Sequence, residues 1–191
     1  MLHPAVRDPV DYHAGDLLFF YGRDLTSRII EIATRGPSHV GMIFTYRAAP
    51  LLIESTTLCD LPCAIRGEKI QGVQAHHPAD RIHTYRGTVF HAPIRFGCHF
   101  RKAQSRELTE QIYDEYLGEP YDLRGAIESP TPFPLFTRPD LGSLFCSALC
   151  GLLLMDFAKI NRENPKRITP AGLLNRVLTQ AVHSSPVRVK Q

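Results

Sequence analysis

The sequence gathers little charge of one sign in any one place. Lys and Arg are scattered, the formal net charge is only +3, and charged residues make up 21% of the chain. A nucleic-acid or anionic-membrane partner calls for a basic patch, so no nucleic acid is expected as a partner. Long apolar runs are also missing. The longest, Leu144 to Met155, contains Ser147 and Gly151 and is too short to span a bilayer as a helix. Stable membrane insertion is therefore not expected. The opening MLHPAVRDPVDYHAGD lacks the basic-then-apolar order of a secretory leader. Cysteines are few and odd in number: Cys59, Cys63, Cys98, Cys146 and Cys150. An odd count argues against a fully paired disulfide framework and suits a reducing compartment. No internal repeat and no linker divides the chain. These absences together predict a cytoplasmic protein of one domain over residues 1–191, with its core from about 14 to 180 and flexible termini.

An apolar content of 43% is enough for a sizeable core. Gly15-Asp16 turns into a short strand, LLFF. Asp24 reads as the cap of a helix carrying Leu25, Arg28, Ile29 and Ile32, closed by Gly36-Pro37. A second strand follows in SHVGMIF, then a loop, TYRAAP, then a third strand from Leu51 to Thr56. Residues Gly72 to Ala75 form a further strand, HHPADRI a loop, and TVFHAPI (88–94) another strand carrying His91. Apolar positions Leu108, Ile112 and Tyr116 predict a helix from Ser105 to Leu117, ended by Gly118. The Pro- and Phe-rich stretch 125–140 reads as an irregular loop. Ser143 is the expected cap of a long apolar helix from Leu144 to about Lys159. Thr169-Pro170 starts a last helix through Leu178, and the tail after Ala181 reads as disordered. Strands first and helices late make an α+β fold with a mostly antiparallel sheet.

Three residues stand out against this background. His39 occupies the rim of an otherwise apolar strand, with Gly41 leaving space on the same face two positions on. Glu54 lies among Leu51, Leu52 and Ile53, where an ionised carboxylate needs a partner. Cys146 lies near the start of an apolar helix, where free N–H groups and the macrodipole favour a thiolate. Taken singly, each has an ordinary structural explanation: a core histidine, an edge-strand glutamate, a buried cysteine. Cys150, one turn further into the helix, reads as core. An antiparallel hairpin that sets Gly41 or His39 against Glu54 puts both side chains on one face. A slip of one residue separates them. In the first register Glu54 orients His39, and His39 serves Cys146 as nucleophile.

The ordered motifs GDLLFF, SHVGMIF, LLIES, LGEPYDL, FCSALC and ITPAGLL resemble those of the circularly permuted papain-like cysteine hydrolases of the NlpC superfamily, in their YiiX-like group. In this permuted layout the histidine and acidic residue precede the cysteine, as His39, Glu54 and Cys146 do here. The resemblance implies a papain-like α+β fold in which an antiparallel sheet packs against a late cysteine-bearing helix. It also implies a cysteine peptidase or amidase with Cys146 as nucleophile, His39 as base and acid, and Glu54 as orienting group. No cofactor is implied, and the partner is a small peptide-like or acyl-amide substrate. Gly118 to Asp122 match a motif near the cleft of this group. The chain departs from the group at Ala148, a position often acidic, and over 59–99, which matches none of its motifs.

Other readings compete. Cys59 and Cys63, Cys146 and Cys150, and His76-His77 could be zinc ligands, although the C-x3-C spacing is loose. The fold could serve a non-catalytic binding module. The same thioester could pass its acyl group to an amine or a lipid hydroxyl, with SPTPFPLF (129–136) covering an apolar substrate.

Overall fold

The computed structural model describes residues 10–23, 31, 35–121 and 145–190. The helix expected from Asp24 falls almost wholly outside these residues, as do the loop 125–140 and Ser143.

Six strands form one antiparallel sheet: β1 (Leu17–Gly22), β2 (His39–Tyr46), β3 (Ala49–Thr56), β4 (Gly72–His76), β5 (Gly87–Ala92) and β6 (Val187–Lys190). Their spatial order is β4-β3-β2-β1-β5-β6. Among the described residues four α-helices accompany them: α1 (Pro78–Thr84), α2 (Lys102–Gln111), α3 (Cys146–Asp156) and α4 (Pro170–Thr179). This is the expected α+β arrangement, with the late cysteine-bearing helix α3 packed on β2 and β3.

Both faces of the sheet are covered, which explains why central strand β1 reads LLFF without polar alternation. Leu17 and Phe19 join Val40, Met42, Ile53 and the helices α2, α3 and α4 in the larger core. Leu18 and Phe20 join Ile43, Leu52, Tyr85 and Val89 in a smaller one, against which Ile82 of α1 packs. Nine of the eleven residues of α3 are buried. A helix apolar on all sides belongs inside a protein.

The hairpin between β2 and β3 is tighter than the six-residue loop expected. Arg47 and Ala48 alone make the turn, with φ of 49° and 65°. Positive φ at both central residues is the turn geometry that suits the right-handed twist of a hairpin. The turn fixes Tyr46 opposite Ala49 and, further along, Met42 opposite Ile53.

Three elements differ from the sequence reading. Where HHPADRI is expected as a loop, Pro78–Thr84 form a helix. Pro78 supplies its first-turn geometry and Asp80 its favourable charge, but two turns are too short to show a period. The tail after Ala181 is ordered: β6 pairs with β5, Phe90 opposite Arg188. Its alternation VRVK is only four residues long. Helix α2 begins at Lys102, three residues earlier than expected, with Gln104 Oε1 accepting the Arg101 N–H. A wider π turn over Ile112–Tyr116 continues it.

The quoted motifs have structural roles. Asp16, fully buried, accepts from the N–H groups of His13 and Ile94 and from His91 Nε2 at 2.8 Å. The Gly15 carbonyl accepts from His183 Nε2 at 2.8 Å. Gly-Asp therefore ties the end of β5 and the segment at His183 to the start of β1, the end away from His39. Gly118 and Glu119 bond to both backbone groups of Val73 and so cover the outer edge of β4.

Candidate active site

His39 is the first residue of β2, with a side chain only 13% exposed. Glu54 lies within β3 and is fully buried. Continuing the hairpin register by one residue sets Gly41 beside Glu54, so His39 lies diagonal to the carboxylate. Diagonal pairs on one face are within reach of long side chains, and His39 Nε2 meets Glu54 Oε2 at 2.6 Å. The space over Gly41 does not receive a reacting group. Leu52 fills it: a Cβ there would lie 2.8 Å from Leu52 Cδ1.

Cys146 is the first residue of α3, after Phe145 at the cap position, where no side chain satisfies the first-turn N–H groups. The sulfur instead receives backbone hydrogen bonds from Val40 and Ser147, and shares one with the His39 side chain. Because Nε2 is engaged by Glu54, Nδ1 is the ring nitrogen left for the thiol. The helix start is held by its neighbours. Ser147 Oγ donates to the Ile168 carbonyl at 2.6 Å, and Gly151 lets Ile168 pack against α3. Thr169 then caps α4 by accepting from the Gly172 N–H. The ITPAGLL segment thus anchors the cysteine helix.

The electrostatics follow from this packing. Burial pushes the His39 imidazole down, but the Cys146 sulfur, by charge and hydrogen bond, and the Glu54 carboxylate together raise its pKa to about 9. Burial pushes the Cys146 thiol up, but the charge and hydrogen bond of His39 outweigh it, with help from the Val40 and Ser147 N–H groups, and the pKa is lowered. Burial also raises Glu54, yet Arg81 first and His39 second bring it down to about 2. The arrangement favours a thiolate beside an imidazolium. Cys150 is the contrast: burial and the Cys146 charge push its thiol well above the ordinary value. It stays protonated in the core, where its sulfur lies 3.9 Å from the Val40 carbonyl.

Reading the sequence missed the fourth group. Arg81, on α1, donates from Nε to Glu54 Oε1 at 2.6 Å, and its side chain is 1% exposed. His76 of β4 lies 3.6 Å from the same oxygen, with its ring nitrogens facing Gln74 Oε1 and the Pro62 carbonyl. The signal was present: a carboxylate among three apolar residues needs a cation that is charged at every pH, which histidine is not. The position of Ala148 has a local reason as well. It is fully buried in the larger core, where an ionised acid would lie among apolar neighbours.

No protein-family model matches the sequence, and no curated protein matches it. Among solved structures, the fold is similar to that of the metalloprotein yiiX from Escherichia coli O157:H7, DUF1105. The two superpose with a TM-score of 0.56 at 18% identity, over 92% of this chain and 88% of that one. The chain thus has a mixed α+β, YiiX-like fold. Among the described residues no helix is long and apolar enough to cross a membrane.

Proposed function

We propose that the chain is a cysteine hydrolase of the permuted, NlpC-like kind, cleaving a peptide-like amide through a thioester on Cys146. The observation that carries this reading is a single imidazole that bonds to a buried carboxylate at 2.6 Å and also interacts, by charge and hydrogen bond, with the thiol at the start of α3. In the first step the Cys146 thiolate attacks the amide carbonyl, forming a C–S bond. The free N–H groups at the start of α3 stabilise the developing oxyanion. His39, as imidazolium, gives its proton to the leaving nitrogen, and the C–N bond breaks. Neutral His39 then takes a proton from water, whose oxygen attacks the thioester. The acid leaves and the pair is restored. Glu54 stays ionised throughout and holds the ring.

The description of yiiX as a metalloprotein raises a metal centre as an alternative, and the residues do not fit one. Among the described residues no three His, Cys, Asp or Glu side chains are grouped to hold an ion. Glu54 has both oxygens engaged, one by a guanidinium that would repel a dication. Cys63 is a core residue whose sulfur accepts from the Ala75 N–H.

The test is site-resolved alkylation with iodoacetamide from about pH 5 to 9, alongside turnover of short peptide amides. Cys146 should react fastest and remain reactive below about pH 7, where an ordinary thiol near 8.5 is protonated. Cys146→Ala should fold normally and lose all turnover. Wild-type-like turnover by that variant removes the mechanism, and an inert Cys146 in folded protein leaves a binding module.

A further inference from the structure

We infer that Arg81 is the positioning residue of this site, and that the C-terminal strand β6 holds it in place through Lys190. The inference rests on the cysteine-hydrolase reading and adds two residues to it.

Glu54 could not serve His39 alone. A fully buried carboxylate with a titrating histidine as its one partner would lose its counter-charge whenever His39 passes its proton on. Arg81 removes that dependence, since a guanidinium stays charged throughout the reaction. Its Nε bonds to Oε1, so Oε2 remains free for His39. The division of the two oxygens fixes the carboxylate plane and, through it, the imidazole.

Arg81 pairs with Glu54, yet its hydrogen-bonding capacity is only partly used. Nη1 and Nη2 are buried with no hydrogen-bond partner among the described residues. Asp60 lies 3.6 Å from Nη1, beyond hydrogen-bonding distance, and the guanidinium sits over the rings of Phe20 and Tyr85 at 5.5 and 5.2 Å. A buried fork left half unsatisfied costs free energy that an apolar side chain would not. Its position beside Glu54 explains why it is tolerated.

Helix α1, which carries Arg81, has only two turns and cannot hold itself. Lys190 of β6 reaches its C-terminal end. The ammonium donates to the carbonyls of Ile82, His83 and Tyr85 at 2.7, 2.6 and 2.6 Å. Three donors on three carbonyls at the negative end of a helix form a complete cationic cap. Contacts thus run from β6 through Lys190, α1, Arg81 and Glu54 to His39 and Cys146.

The experiment is the alkylation profile of Cys146, which needs no substrate. In Arg81→Met the buried Glu54 takes up a proton, the imidazolium loses its counter-charge, and the thiolate forms only at higher pH. The midpoint of Cys146 alkylation should rise by about one pH unit, a tenfold slower reaction at any pH below it. Arg81→Lys, which keeps the charge, should return the midpoint most of the way. Lys190→Met should shift it in the same direction by less, and this variant carries the test if Arg81→Met does not fold. An unchanged midpoint in folded Arg81→Met overturns the role of Arg81, and a wild-type profile in Lys190→Met overturns the clasp. A wild-type midpoint already near that of a free thiol counts against the hydrolase reading itself rather than against Arg81.

Discussion

His39 Nε2 lies 2.6 Å from Glu54 Oε2, fifteen residues apart in sequence and joined by a two-residue turn. The contact is diagonal, and the turn alone decides it. One residue more or less between Tyr46 and Ala49 would send Glu54 to the face packed by α3 and leave His39 without a carboxylate. The site therefore depends on Arg47 and Ala48 accepting positive φ, although neither is glycine.

Glu54→Gln tests what the charge does as opposed to the shape. The amide fits the same space and still bonds to one neighbour, but Arg81 loses its buried counter-charge and keeps only the half-exposed Asp60, 3.6 Å from Nη1. Breaking a buried pair in this way costs about 3 to 5 kcal/mol, so the urea midpoint should fall substantially. Turnover should drop without vanishing, because Cys146 and His39 remain. A variant as stable and as active as wild type would mean that another group orients the ring.

Stability should depend on pH on the acid side in a way assignable to the same residue. Glu54 is depressed from 4.5 to about 2. Its contribution is present above 4.5 and is lost as pH falls toward 2. His39 is raised from 6.5 to about 9, so its contribution is complete below 6.5 and is lost as pH rises through 9. Cys146, whose thiol is lowered by the same pairing, contributes with the opposite sign over that window, so urea unfolding should show the acid decline clearly and little net change on the alkaline side. In Glu54→Gln the acid decline should be shallower, and an identical acid limb in the variant would assign that decline to other carboxylates.

The sequence made the strands, the late apolar helix and the three residues His39, Glu54 and Cys146 legible, because each breaks a pattern that its neighbours set. It did not yield the register, which rests on backbone angles at Arg47 and Ala48 that neither side chain announces. Arg81 was hidden by α1, whose two turns carry too few apolar positions to show a period. Lys190 was hidden by β6, four residues that pair only because β5 offers an edge. Short elements take their structure from tertiary contacts, and here two of them hold the group that Glu54 needs.

The start of α3 offers the last test, because Cys146 is positioned by its neighbour as well as by its helix. Ser147 Oγ donates to the Ile168 carbonyl at 2.6 Å, and Ser147 is fully buried. In Ser147→Ala that carbonyl loses a buried donor, at a cost of about 1 to 3 kcal/mol. The loss falls on the contact that joins the first turn of α3 to the segment capping α4. The Ser147 N–H that bonds to the Cys146 sulfur lies in this same turn. Loosening it should weaken that bond and slow Cys146 alkylation at neutral pH, while Cys150, a turn further in, stays inert. The midpoint of the alkylation profile should rise slightly, since the Ser147 N–H is the smallest of the groups that lower the thiol and His39 and Glu54 are untouched. Unaltered stability with unaltered alkylation would show that the helix start holds Cys146 without help from Ile168.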